Sequence, residues 1–211
     1  MTNIGRRRGW ALKGLIAPLL VAVALPGVAH AQFSQGYKFL EAVKKKDGSA
    51  VESALSEPGS TIINTRDVTS GDTALHIVTA RRDATWLGYL IGKGANVNAR
   101  NNRGVTPLQT ASNLGWLDGV SILLEGNARV DDSNDAGETP LIAAVHRRDL
   151  GMMRVLLKAG ADPDRSDNSG RSARDYAATD SRADVLLGEI QASAKPKAQR
   201  PGGGGVYGPT F

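Results

Sequence analysis

Four glycines set the frame of this chain. Gly71, Gly104, Gly137 and Gly170 are separated by 33 residues each, and the stretches they open are alike: GDTALHIV, GVTPLQTA, GETPLIAA and GRSARDYA. Self-similarity at a fixed period of this length marks a repeat architecture, in which each unit buries its apolar face only against its neighbours.

Each column of the repeat has a physical reading. Thr73, Thr106, Thr139 and Ser172 are placed to cap a helix, the hydroxyl accepting a free backbone N–H of the first turn. Pro107 and Pro140 follow in two units, at the first helical turn, where a missing N–H costs nothing. Leu75, Leu108 and Leu141, with the small residues Val78, Ala111, Ala144 and Ala177, are expected to face the neighbouring unit. A second helix is marked by apolar residues at helical spacing: Leu87, Leu90 and Ile91; Val120, Leu123 and Leu124; Met153, Leu156 and Leu157. Gly94, Asn127 and Gly160 close it, and these residue types tolerate the left-handed conformation of a helix stop. Trp86 and Gly119 occupy the same column of adjacent units. Because close-packed interiors leave no void of indole size, Trp86 is expected to fill the space above Gly119.

Helix, turn, helix and a polar finger at this period resembles the ankyrin repeat, whose motif runs T-P-L-H-x-A. The resemblance implies an all-α repeat solenoid of about five units with β-hairpin-like fingers. Its divisions are an N-terminal cap unit at 37–70, full repeats at 71–103, 104–136 and 137–169, and a C-terminal cap unit at 170–194, within a domain spanning 32–194. The end units depart from the pattern, most clearly at Arg174, which stands in the leucine column. Polar outer faces are what terminal units of a soluble solenoid require, and a monomer is expected.

Residues 1–31 read as a cleavable export signal: Arg6, Arg7 and Arg8, an apolar run from about Leu15 to Leu25, Pro26, and the small-x-small triplet ending at Ala31. The run is broken by Pro18 and is shorter than the roughly 20 residues of a membrane span, so no membrane insertion is expected after cleavage. A periplasmic or extracellular location follows from this reading. Removing the leader lowers the formal charge from +5 to +1, and 32–194 alone carries −2. The basic balance therefore resides in the leader and in Lys195, Lys197 and Arg200, and the basic face that a nucleic-acid partner would need is missing. The tail 195–211, KPKAQRPGGGGVYGPTF, reads as a flexible Pro/Gly-rich extension. Val206, Tyr207 and Phe211 leave open a short docking peptide there.

Little in the chain points to catalysis. The absence of cysteine removes disulfides, thiolate metal sites and thiol chemistry, and no phosphate loop, GxSxG or HExxH is present. The finger Asp131 to Asp135 resembles a calcium loop only in its first residues: loop positions 6 and 12 would be Ala136 and Ile142, where Gly and Glu are needed. His76 lies in the TPLH column, to which the resemblance assigns a hydrogen bond between neighbouring finger turns. No enzyme, cofactor or metal is expected.

What a stacked solenoid offers is surface. The resemblance assigns partner choice to the finger tips and to the concave face of the first helices, which map here to Arg81, Arg100, Asn102, Arg103, Asn113, Leu114, Trp116, Glu138, His146 and Arg147. Two readings of Trp116 stay open: an exposed aromatic anchor of the kind that concentrates binding energy, or a ring laid over its own unit. The partner expected is another protein, bound as a scaffold, inhibitor or protector. The other reading is an envelope-associated spacer whose tail makes the contacts.

Overall fold

The computed structural model describes residues 27–57 and 60–200. Five pairs of helices follow one another: α1 (Gly27–Lys45) with α2 (Gly48–Leu55), α3 (Ala74–Ala80) with α4 (Ala84–Gly92), α5 (Pro107–Asn113) with α6 (Leu117–Glu125), α7 (Pro140–His146) with α8 (Leu150–Ala159), and α9 (Ala173–Ala178) with α10 (Ala183–Ser193). The first members stack in one row from α1 to α9, and α4, α6, α8 and α10 form a second row behind it. The expected all-α solenoid of five units is the fold found.

The repeated columns do the work assigned to them. Leu75, Leu108 and Leu141 are buried, as are Val78, Ala111, Ala144 and Ala177, so the first helices pack through small side chains. Thr106, Thr139 and Ser172 accept from the backbone N–H groups of Gln109, Ile142 and Asp175, while the Thr73 hydroxyl is engaged by His76 Nδ1 at 3.0 Å. Second helices are capped by aspartates: Asp47, Asp83 and Asp149 accept from the backbone N–H of Ala50, Trp86 and Met152. In the third unit this position holds Trp116, which offers no side-chain cap.

The turn glycines explain the 33-residue period. All four have φ between +70° and +78°, a region that an L side chain enters only at a cost. At Gly71, Gly104 and Gly137 an added Cβ would also strike the next finger, at Asn102, Asp135 and Asn168 respectively, whereas at Gly170 nothing follows and the space is open. The fingers are linked one to the next by single backbone hydrogen bonds: Asn102 N to Ser70 O at 2.9 Å, Asp135 N to Arg103 O at 3.2 Å and Asn168 N to Ala136 O at 3.1 Å. Each finger is a tight turn closed across its base, as by Asn101 N to Val105 O at 3.0 Å. The β-like pairing among the described residues is limited to one isolated bridge, Ser166 to Ser172. Asn127 takes φ +67° at its helix stop, as Gly94 and Gly160 do in theirs.

Two expectations are corrected. Gly119 is covered by Trp116 and not by Trp86: a Cβ at Gly119 would stand 2.5 Å from Trp116 Cδ2 and closer still to Cε3 and Cζ3. The indole at the N-cap of α6, three residues before Gly119, lies over the same side of the helix and reaches the vacant site first. Trp86 instead lies half-buried beside Tyr89 and beneath the Arg81 guanidinium. The flexible tail does not begin at Lys195: a 3₁₀ turn at Lys197–Gln199 folds back so that Arg200 Nη1 meets Asp162 Oδ1 at 2.5 Å and Asp164 Oδ2 at 3.5 Å, while Nε donates to Lys195 O. Composition showed nothing apolar to bury there, but the last finger gathers two carboxylates that hold an arginine. The cleavage point expected after Ala31 lies within the stretch that α1, Gly27–Lys45, covers in the full chain. The basic start and apolar run of the leader, and the tail from 201 with Val206, Tyr207 and Phe211, lie outside the described residues.

Candidate functional site

The turn glycines and the short first helices leave one face of the stack framed by finger tips above and helix ends below. In its centre is a cleft of about 580 Å³, where Asn102, Arg103 and Val105 of one finger and Asn134 and Asp135 of the next overhang Asn113 and Leu114. Asn113 ends α5 and Leu114 is its C-cap. Asn113 is exposed and Leu114 half-buried. Four of the expected binding residues are thus brought together in one depression: Asn102, Arg103, Asn113 and Leu114.

Others line up beside it. His146 is exposed, with Nδ1 3.5 Å from Glu138 Oε1 and its ring edge-on to Tyr176 at 4.4 Å. Tyr176 carries Arg171 over its face at 4.1 Å and donates its hydroxyl to Asp167 at 2.7 Å. That bond holds the phenol above its ordinary range and the Asp167 carboxyl below its own. Arg147 is exposed, and its guanidinium reaches back toward Gly115 of the preceding unit, 3.2 Å from where a Cβ would stand. Arg100 is exposed but ion-paired with Asp135 at 3.6 Å. Asn102 bridges fingers, donating to Thr69 O and accepting from Arg66.

Two expected binding residues belong to the scaffold instead. Trp116 is 9% exposed, packed on Gly119 in its own unit, so it is not an exposed anchor. The second of its two readings is the one the packing supports, and the reason is the missing Cβ three residues on. Arg81 donates Nη1 to Val43 O and Nε to Asp83, tying the first unit to the second across the helix ends. Sequence reasoning overlooked Thr110 and Asn134 in the cleft wall. Thr110 follows Pro107 by three residues on α5, a helical spacing that was readable.

His76 makes the bond expected of its column. Thr73 N donates to Nδ1 at 3.1 Å, which leaves Nε2–H to donate to Val105 O at 2.9 Å. Burial holds the imidazole below its ordinary pKa, favouring the neutral ring that this arrangement needs. In the next unit Gln109 reaches Glu138 O in the same way, at 2.5 Å. These side chains fix the finger turns on which Arg103 and Glu138 stand.

Comparison with known proteins meets this geometry. A family model described as ankyrin repeats (3 copies) matches residues 39–134, and a second, ankyrin repeats (many copies), matches 122–177. The chain belongs to the ankyrin-repeat family. A fowlpox virus (strain NVSL) protein described as an ankyrin repeat protein, FPV031, is 44% identical over 50 residues, which are 24% of this chain and 15% of that protein. The match therefore covers only a small part of the relative's length. Ankyrin repeats serve as protein–protein interaction modules and are in general not enzymes. Among the described residues of this ankyrin-repeat chain no cluster of three or more His, Asp or Glu is disposed to hold a metal ion, and no helix is long and apolar enough to cross a membrane.

Proposed function

We propose that the chain is an exported protein-binding module that recognises a protein partner through the face between its fingers and its first helices. The observation that carries this reading is the cleft in which Arg103 and Asn113 are exposed and make no side-chain hydrogen bond to any described residue, beside Leu114, which packs on the core and is half-exposed to the cleft. Their supports are rigid. His76 and Gln109 lock the finger turns, and Thr106 caps the helix that presents Asn113. A surface ordered before binding pays little conformational entropy on association, so a few side chains supply the affinity. Export rests on the basic, apolar and small-x-small order of residues 6–31, and the compartment proposed is the periplasm. Binding there acts to scaffold, inhibit or protect the partner.

The test is capture from the native envelope fraction with the full chain and with an Arg103→Ala, Asn113→Ala, Arg147→Ala variant, alongside a Lys158→Ala, Val185→Ala variant altered on the second row of helices. A partner retained by the native protein and the second-row variant but lost by the first is the expected outcome. Retention by the first variant and loss by the second would refute the reading.

A further inference from the structure

The face around the cleft carries acidic side chains that are engaged within the protein and two arginines that are not. Asp135 is paired with Arg100. Glu138 accepts from Asn134 at 3.1 Å and lies against His146. Asp167 accepts from the Tyr176 hydroxyl and from the backbone N–H groups of Ser169 and Arg171. Asp180 holds Arg148 at 2.9 Å, and Asp72 accepts from Asn101 at 2.8 Å. Arg103 and Arg147 stand apart: neither makes a side-chain hydrogen bond or an ion pair with any described residue. They flank one apolar group, since Arg103 shares the cleft with Leu114 and Arg147 reaches toward the adjoining Gly115.

We propose that this site takes an acidic peptide segment of a partner protein, with one carboxylate on Arg103, another on Arg147, and an apolar side chain between them against Leu114. The inference rests on the binding-module reading above and names the chemistry of its partner. A guanidinium presents its donors as a planar fork that matches a carboxylate, and the resulting bonds are charge-assisted. A basic segment would meet two arginines that have no ion-pair partner among the described residues, beside acids that are each already engaged with a group of the protein itself. Asn113, which makes no internal side-chain hydrogen bond among the described residues, supplies a donor and an acceptor for the backbone of an extended peptide. Because residues 32–194 carry a net charge of −2, attraction is confined to the contact itself, so losing an arginine should act mainly on the dissociation rate.

The experiment is selection of a displayed random peptide library on the full chain, followed by titration of the enriched peptides in synthetic form. Enriched sequences should carry acidic residues on both sides of an apolar one. Arg103→Ala and Arg147→Ala should each weaken them by about tenfold or more, as expected for a lost charge-assisted bond. Arg165→Ala removes an equally unpaired arginine at the base of the last finger and should leave binding unchanged. Enriched peptides without acidic residues that are still weakened by Asn113→Ala would overturn the acidic preference while leaving the binding face standing. Peptides indifferent to all of these substitutions would overturn both, and failure to enrich any acidic sequence would count against the site.

Discussion

Adding a methyl group to Gly119 tests the packing of the third unit sharply, because local propensity and tertiary packing give opposite signs. Gly119 is a buried residue inside α6, and in an ordinary helix Gly→Ala stabilises by about 1 kcal/mol. Here the new Cβ would stand 2.5 Å from Trp116 Cδ2 and closer to two other ring atoms, so the indole must move by more than an ångström. Overpacking of this kind costs about 1–3 kcal/mol, and a rigid, 9% exposed ring places the cost toward the upper end. Gly119→Ala is therefore expected to destabilise by about 1–2 kcal/mol net. Trp116→Ala alone should cost about 3–5 kcal/mol through lost burial and a cavity, with no cap to lose. In that background the ring is gone, and Gly119→Ala should now stabilise by about 1 kcal/mol. Urea denaturation followed by far-UV circular dichroism of the four proteins gives the cycle. A Gly119→Ala protein more stable than the native one, or a coupling below about 0.5 kcal/mol, would refute the contact.

Other outcomes follow from the same geometry. Burial depresses His76 below the ordinary imidazole pKa of about 6.5, so the unfolded chain binds the proton more readily; stability is complete above that pH and declines as pH falls below it. The urea midpoint should drop as the pH falls below about 6.5, and His76→Gln, which copies the Gln109 arrangement, should flatten that slope. Gly104→Ala and Gly170→Ala both pay for a positive φ, but only the first also strikes Asp135 and Arg100; thermal melts should show the first to be worse by about 1–2 kcal/mol. Arg200→Ala should lower stability by about 0.5–1 kcal/mol, because Asp162 loses its cation while Asp164 keeps Arg174; an unaltered melt of the alanine variant would mean that the clasp contributes nothing.

The repeat was legible because its determinants are local. A turn glycine, a capping hydroxyl and a helix-stop Asn act within a few residues of themselves, so Gly104, Thr106 and Asn127 could be read one at a time. Even the reason for the period, a Cβ at Gly71 meeting Asn102, shows itself as the recurrence of glycine. The errors lie where a side chain had several places to go. Trp116 and Trp86 stand 30 positions apart with one vacancy at Gly119, and only the direction of each indole decides which fills it. Arg81 and Arg103 look equally available in sequence; the carbonyl of Val43 claims the first, and no described residue claims the second. The clasp of Arg200 depends on carboxylates 36 and 38 residues away, a spacing that carries no local signal.

The central claim is that partners are bound on the face of the fingers and first helices. A photo-crosslinking amino acid placed at Asn113 in the cleft, or at Val185 on the exposed side of α10, and activated in intact cells, tests it most directly. A crosslinked partner at position 113 and none at 185 is the result expected; the same partner captured at 185 and absent at 113 would contradict the account.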